Sequence, residues 1–381
     1  AIKHVEGLTP NLPLRFGFRG LDGYDGGVLP LTRFNTLKQL FPVQGPVVDD
    51  GRLRLQLKSA PDPRLLGWLN VRWLVMDRLR DQWIDNVYYD LAVSQELAPG
   101  TPLTLTVSPS FAATGLGVFA RGTSSSSPQG TLTVQAGTAT QTLSMGVAAP
   151  PLQTLKTDTD PTPLGLWRAS LNAPTTVDRL TLTWQGSAPL VLRSLSLIDG
   201  ANGNNQTVVI SPAYQITFLG DVKIYENHDT LPRAFLVDGL AVASGPGAVV
   251  DRLKDPRWRA QDVAVSAAGD GPSRVAPFQE RGPPGQVRWV VDRPEEISLE
   301  TNATGPRMLV LTDSYYPGWT VTVDGLNQPI VPVDILFRGV RLPSGEHQVV
   351  FRYQPTSWRL GLLLSALGML GAVVGLIVSR H

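Results

Sequence analysis

The chain has no cysteine and almost no net charge, and each absence excludes a class of function. Without cysteine there is no disulfide, no thiol nucleophile and no thiolate metal site. The 33 Lys and Arg residues balance 32 acidic residues to a net charge of +1, so we expect no nucleic-acid partner. The few histidines are far apart in sequence and lack a partner at i+4, which predicts no zinc site. They are His4, His228, His347 and His381.

Catalytic motifs are missing as well. The sequence contains no G-x-S-x-G, G-x-G-x-x-G or G-x-x-x-x-G-K segment. Asp158 and Asp160 have the D-x-D spacing of a cation site in nucleotide-sugar transferases, but they lie in a loop without a Rossmann-like strand before it. Adjacent acids such as Glu295 and Glu296 point apart in a strand rather than across a cleft. The sequence therefore predicts no metal, no cofactor and no self-contained catalytic site, and it leaves open whether the chain belongs to an enzyme.

Glycine and proline are abundant, at 37 and 32 of 381 residues, and charged residues make up only 17%. This composition is typical of many short strands joined by turns, and the length suffices for two or three cores. Ala1 opens without an initiator Met or a signal-peptide pattern. We therefore expect a fragment or a processed piece of a longer protein.

Patterning along the chain predicts a mainly β protein with a small α/β part. The segments "LTRFNTLKQLF" and "GAVVDRLKDPRW" have helical spacing, whereas "LTLTVS", "GTLTVQAG", "DRLTLTWQG" and "LVLRSLSLID" alternate as strands do, and the Asp-Gly pair in "TVTVDG" predicts a turn between strands. A jelly-roll-like β-sandwich is inserted in the α/β domain, and a second small β-sandwich precedes one C-terminal transmembrane helix. We also expect the strand at 73–76 to pair with those at 222–225 and 234–237 in one sheet. The predicted parts are 1–84 plus 206–268 (α/β), 85–205 (inserted, carbohydrate-binding-like sandwich), 269–286 (linker), 287–356 (membrane-proximal sandwich) and 358–379 (membrane helix).

The C-terminal segment predicts the membrane helix directly. Residues 360–378 carry no charge and no proline, and at about 1.5 Å per residue they extend roughly 28 Å, close to the thickness of a bilayer core. Trp358 and Arg380 flank the segment as interfacial anchors. Gly371 and Gly375 form a G-x-x-x-G pair, which predicts packing against other transmembrane helices.

Two loops carry candidate ligand-binding residues. In "SYYPGW" the Pro-Gly pair predicts a turn that spreads Tyr315, Tyr316 and Trp319 to opposite faces. This aromatic knuckle, residues 315–319, is either a structural corner or a contact for a sugar or a lipid headgroup. The hydrogen-bonding groups of the glycine-rich loop "RGLDGYDGG" either stabilise surface turns or form a second contact for a ligand. Its candidates are Arg19, Asp22, Tyr24 and Asp25.

Four segments follow one another in a recognisable order: "LRFGFRGLDGYDG", "WLNVRWLVM", "VKIYENHDTLPRAFLV" and the stretch from "LVLTDSYYPGWTVTVDG" to "HQVVFRYQP" with the helix after it. In this order they resemble the YfhO family of bacterial membrane proteins. The resemblance implies a many-helix protein similar to GT-C glycosyltransferases, which transfer a sugar from a polyprenyl-phosphate carrier outside the cytoplasm. This chain departs from that pattern, because it has one predicted membrane helix and no counterpart of the family's acidic loop.

The resemblance implies a bacterial cell membrane protein with the bulk of the chain extracytoplasmic. One hypothesis is an accessory module of a YfhO-like glycosyltransferase that binds or positions a cell-envelope glycan acceptor. A second is a single-span structural or interaction protein without sugar chemistry. A third, a hydrolase, requires other acids beside Asp158 and Asp160. The expected partners are the lipid bilayer, a cell-envelope glycan and other transmembrane helices.

Overall fold

A computed structural model describes residues 17, 19–21, 32–41, 57, 59–123, 128–137, 139–157, 160–270 and 285–378. Strands dominate these residues, which confirms the mainly β prediction. The helices are α1 (Thr32–Lys38), α2 (Pro63–Trp68), α3 (Pro246–Lys254) and α4 (Thr356–Val378). Asp158, in the D-x-D spacing, and most of the predicted linker at 269–286 lie outside the described residues.

The strands of the N-terminal half are β1 (Trp73–Met76), β2 (Gln82–Ile84), β3 (Val87–Tyr89), β4 (Gln95–Leu97), β5 (Pro102–Gly122), β6 (Gly130–Ala136), β7 (Ala139–Met145), β8 (Gln153–Thr157), β9 (Asp160–Gly186), β10 (Leu190–Asp199), β11 (Asn204–Val208), β12 (Tyr214–Leu219) and β13 (Lys223–Asn227). Those of the C-terminal half are β14 (Ala234–Val237), β15 (Leu240–Ala243), β16 (Ala264–Ala267), β17 (Gln286–Asp292), β18 (Glu296–Ala303), β19 (Arg307–Ser314), β20 (Trp319–Val323), β21 (Leu326–Gln328), β22 (Val331–Val333), β23 (Phe337–Leu342) and β24 (Gly345–Tyr353).

The chain divides into two compact units. The first consists mainly of Arg52–Thr230, and the second consists mainly of Leu231–His381 together with the short stretch that contains α1. The domain limits predicted from the sequence remain a prediction.

An eight-stranded sheet forms most of the first unit. Its strand order is β11-β10-β5-β9-β6-β7, with β4 on β10 and β8 on β9. The alternating segments of the sequence all form strands, but β5 and β9 are much longer than the pattern predicts, at 21 and 27 residues. Both run through register shifts, where bulges let a long strand bend. Leu116, Phe119 and Trp184 are among the large side chains that this sheet buries.

A separate three-stranded sheet, the small sheet, has the order β1-β13-β12. The predicted pairing of 73–76 with the strand predicted at 222–225 is confirmed, with Trp73 opposite Glu226 and Met76 opposite Lys223 in β1 and β13. The predicted addition of 234–237 to this sheet is wrong, because β14 pairs with β19 instead. All four residues of β14 are buried, and such a run has no polar face that would specify its sheet.

Two sheets of the second unit enclose one core. Their orders are β14-β19-β23-β22 and β17-β18-β24-β20-β21, and Leu309, Leu311, Val321, Val349 and Phe351 meet between them. This is the predicted second sandwich, called the membrane-proximal sandwich below. Beside it, α3 connects the parallel strands β15 and β16, which supplies α/β structure in this unit.

Helix α4 begins three residues after β24 ends at Tyr353. Thr356–Val374 is long and apolar enough to cross a membrane, and none of that window is buried against the rest of the described chain. Trp358 is exposed at the start of the helix, as expected for an interfacial anchor. The sandwich end from which α4 leaves is the end that holds the aromatic knuckle, because Trp319 of β20 is directly opposite Tyr353 of β24.

Candidate functional site

The knuckle is a tight loop between β19 and β20. The backbone N–H of Tyr315 donates to the carbonyl of Leu336 at 2.5 Å, and the N–H of Gln354 donates to the carbonyl of Gly318 at 2.7 Å. Gly318 adopts a φ of 103°, a conformation that favours glycine. The loop is therefore tied both to the residue that precedes β23 and to the segment that leads into α4.

The three predicted rings have different surroundings. Trp319 is half-buried, packs against the core of the sandwich and lies 5.4 Å from the ring of Tyr353. Tyr315 lies under the guanidinium of Arg33, 5.4 Å from it. Tyr316 is 45% exposed, with its ring 6.3 Å from that of Tyr353. Trp319 thus serves as a structural corner, and Tyr316 has the exposure that a ligand or headgroup contact requires.

Arg338, at the start of β23, completes this cluster and was missed by the sequence analysis. Its guanidinium lies 3.8 Å from the ring centroid of Trp319, and its Nε donates to the carbonyl of Ser314 at 3.1 Å. The residue is only 4% exposed. Burial lowers the pKa of Arg338 to about 10, which means that its positive charge is poorly compensated.

A second arginine at the same end of the sandwich is fully paired. Arg233 donates to both carboxylate oxygens of Asp313 at 2.7 and 2.6 Å, and to Asp292 at 3.0 Å. Its guanidinium also lies 4.6 Å from the ring of Trp289. Hydrogen bonds from Arg233 therefore already occupy both oxygens of Asp313.

The other predicted residues are not drawn into this cluster by any described contact. Arg19 is exposed, and Asp22, Tyr24 and Asp25 lie outside the described residues. Gly371 lies in α4, and a Cβ placed on it would meet no heavy atom within 4 Å. Gly375 lies in the same helix. Their role in helix packing stays a prediction.

A buried ionic cluster, residues Asp81, Tyr88, Asp90, Lys223 and Tyr225, lies against one face of the small sheet. The Lys223 ammonium is 2.7 Å from Asp81 Oδ1 and 2.6 Å from Asp90 Oδ1, and the lysine side chain is 1% exposed. The hydroxyl of Tyr88 donates to Asp81 at 2.5 Å, and that of Tyr225 donates to Asp90. The cluster ties β13 to the hairpin β2–β3 and the segment after it.

Both tyrosines of the cluster act as fixed donors. Burial, with the negative charges and hydrogen bonds of Asp81 and Asp90, raises the pKa of Tyr88 and of Tyr225 far above the usual range. The hydroxyls therefore stay protonated and hold the two carboxylates in place. Because the lysine and both carboxylates are buried, this arrangement suits structural support better than turnover of a substrate.

The opposite face of the small sheet, called the outer face, is open. Trp73 is 49% exposed, Phe218 is 50% exposed and Val75 is also exposed. Val75 and Phe218 are both opposite Ile224 in the register, so their side chains share one face. Lys223 flanks Ile224 and points to the other side, because side chains alternate along a strand.

Polar groups border the outer face. Arg72 donates to Glu226 Oε1 through Nε at 2.9 Å and Nη2 at 2.7 Å, and its guanidinium lies 5.2 Å from the Trp73 ring. His228 Nε2 is 3.1 Å from Gln215 Oε1. The face thus combines aromatic rings with hydrogen-bonding groups at the edge, the combination found in sites for amphipathic ligands.

The region predicted as the inserted sandwich, residues 85–205, lacks a comparable surface within the described residues. Its large aromatic side chains Tyr89, Phe119, Trp167 and Trp184 are buried, and Phe111 is half-buried. Exposed aromatic side chains are found on the small sheet instead, at Trp73 and Phe218. Among the described residues, no group of three or more His, Asp or Glu side chains could hold a metal ion.

Structures of the arabinofuranosyltransferase AftD from mycobacteria resemble this chain weakly. The match to one of these structures covers 83% of this chain and 26% of the AftD chain, at 11% identity and a TM-score of 0.21. The match to the class 2 structure of the AftD mutant R1389S covers 75% of this chain and 41% of the AftD chain, at 10% identity and a TM-score of 0.22. This chain spans less than half of either structure, and likenesses of this size carry no functional information. A search of curated proteins gave no match.

One protein family matches part of the chain. Residues 286–365 match the model of the family described as bacterial membrane protein YfhO. The match begins with β17, includes the knuckle and all later strands of the membrane-proximal sandwich, and ends within α4. The resemblance read from the sequence is confirmed for residues 286–365, which are similar to the YfhO family.

Proposed function

We propose that this chain is an extracytoplasmic module of a YfhO-like membrane glycosyltransferase, and that it positions a cell-envelope glycan acceptor near the bilayer. The observation that carries the glycan role is the outer face of the small sheet. Trp73 and Phe218 are exposed there, and Arg72, Glu226, Gln215 and His228 surround them with donors and acceptors.

Rigidity supports a binding role for this face. The ionic cluster anchors β13 from below through Lys223 and Tyr225, so the rings above it are presented on a sheet that is fixed before a ligand arrives. A preorganised surface loses less conformational entropy on binding. Aromatic rings suit the C–H faces of a sugar, and the charged and amide groups suit its hydroxyls.

Membrane attachment is the second part of the proposal. The family match joins the membrane-proximal sandwich and the start of α4 in one region, and α4 is long enough to span a bilayer. The exposed Tyr316 and Trp358 are residue types that favour the interface. The transferase association rests on the resemblance of the YfhO family to GT-C glycosyltransferases, and the extracytoplasmic location rests on the same resemblance.

The glycan role is tested by calorimetric titration of the full chain in detergent with oligosaccharides from bacterial cell-envelope polymers. We expect binding that Trp73→Ala weakens by roughly twofold to twelvefold, if a ring–sugar contact contributes about as much as an aromatic pair, ~0.5–1.5 kcal/mol. Trp83→Ala is the matched control, because Trp83 is an exposed tryptophan of the β2–β3 hairpin. Equal binding by wild type and Trp73→Ala would contradict the assignment of the site.

A different class of function is favoured by the same exposed apolar side chains. An outer face with Trp73, Val75 and Phe218 also fits a protein partner, as in a single-span structural or interaction protein without sugar chemistry. If no cell-envelope oligosaccharide binds, this second function takes the place of the first.

A further inference from the structure

Arg338 is a buried cation that lacks a countercharge. Among the described residues it forms no ion pair, and its Nη1 makes no hydrogen bond although the atom is removed from solvent. Asp313, which acts on Arg338 at longer range, is bound through both oxygens by Arg233. Leaving an arginine charge buried and unpaired is costly, so such a residue calls for a functional explanation.

The surroundings of Arg338 are those of an anion site. Trp319 stacks on the guanidinium at 3.8 Å and leaves the edge of the group for in-plane hydrogen bonds. An arginine held in this way offers a planar fork that matches the oxygens of a phosphate. The Ser314 carbonyl accepts from Nε and fixes the rotation of the group.

The position in the chain points to the membrane as the source of the anion. Trp319 packs on Tyr353, the last residue of β24, and α4 starts at Thr356. The rings of Trp319 and Tyr353 therefore lie between the Arg338 guanidinium and the start of α4, which enters the bilayer. The first turn of a spanning helix lies at the level of the lipid headgroups, whose region is roughly 5–7 Å thick on each side.

We propose that Arg338, stacked on Trp319, binds one phosphate group of a lipid headgroup at the base of the membrane-proximal sandwich. The ligand chemistry is a phosphate monoester or diester anion. Nη1 is closed to solvent in this conformation, so the anion reaches it when a neighbouring side chain moves. This inference rests on the membrane attachment in the proposed function and not on the glycan role.

Lipid retention tests the proposal. The full chain is purified in a maltoside detergent with phosphatidylglycerol added, and the lipid that remains bound is counted by native mass spectrometry. We expect one retained phospholipid, and at least about tenfold less retention in Arg338→Gln. Tenfold corresponds to ~1.4 kcal/mol, near the lower end for a hydrogen bond to a charged group. Arg341→Gln is the matched control, because Arg341 is an exposed arginine in the same strand, and we expect it to retain lipid like the wild type.

Two further arms use the wild type alone and do not depend on the folding of a variant. Diacylglycerol has the same acyl chains without the phosphate, and equal retention of diacylglycerol would overturn the proposal. Inorganic phosphate is then added as a competitor: displacement of the lipid supports a phosphate site that also takes the free ion, and no displacement supports a site specific for the headgroup. Equal loss of lipid in Arg341→Gln and Arg338→Gln would overturn the proposal as well.

Discussion

Replacement of Lys223 by methionine tests the role of the buried ionic cluster. The lysine is the cation that bridges Asp81 and Asp90, with the carboxylate side chains 4% and 6% exposed. Methionine fills a similar volume but removes the charge. Asp90 would keep hydrogen bonds from Tyr225 and from the backbone N–H of Ala92, yet its negative charge would lose its direct countercharge.

The expected loss of stability is large. Removing one partner of a buried ion pair typically costs about 3–5 kcal/mol, because the other charge stays buried without compensation. Lys156→Met is the matched control: Lys156 is exposed in β8, and an exposed substitution changes stability by at most about 0.5 kcal/mol. Asp90→Asn combined with Lys223→Met should recover part of the loss, since it removes one uncompensated carboxylate.

Native-state hydrogen exchange of the full chain is the suitable assay, because two units need not unfold in one transition. The opening free energies of the β13 amides report on the small sheet directly. A decrease of less than about 1 kcal/mol in Lys223→Met, the size of a surface ion pair, would refute the view that the cluster supports the sheet.

Two further predictions concern the second unit. Gly318→Ala should destabilise it by about 1–3 kcal/mol, because φ is 103° and the new Cβ would lie 3.0 Å from Tyr353 Cε2. Gly325 has a φ of 80°, and a Cβ placed on it would meet no atom within 4 Å. Gly325→Ala should therefore lower the free energy of unfolding in urea by less than Gly318→Ala does, and equal decreases would contradict the packing argument. Hydrogen bonds from His347 and a backbone N–H lower the pKa of Asp324. The stabilisation of the folded state by the Asp324 carboxylate is therefore fully present above the pKa of about 3.9 in the unfolded chain. It is lost as the pH falls through the lower pKa of the folded state. Asp324→Asn should remove this part of the acid dependence of Tm, and unchanged acid dependence would contradict it.

Local sequence signals predicted local structure well. The helical spacing near 32–38 and 246–254 and the alternation in β5, β6, β9 and β10 correspond to elements of the described structure. The Asp324-Gly325 pair predicted a hairpin turn, and both residues have positive φ between β20 and β21. These signals depend on neighbours in the sequence, which is why they could be recognised without the fold.

Contacts between distant segments could not be predicted in the same way. Lys223 and Asp81 are 142 positions apart, and nothing near either residue in sequence identifies its partner. The sequence around Arg338 is that of an ordinary strand, and only the fold shows that Trp319 of β20 stacks on its guanidinium. The exposure of Trp73 could not be read from the sequence either, since a tryptophan in a strand fits a buried face equally well.

Labelling of single cysteines in intact bacteria tests most directly whether the sandwich stands on the outer side of the membrane. This sequence has no cysteine, so each introduced thiol is the only residue of this sequence that a membrane-impermeant maleimide labels. Leu326 is exposed in β21, and we predict that Leu326→Cys reacts in intact cells and that Ser379→Cys, beyond α4, reacts only after permeabilisation. Reaction of Leu326→Cys only after permeabilisation would contradict the extracytoplasmic location and, with it, the proposed function.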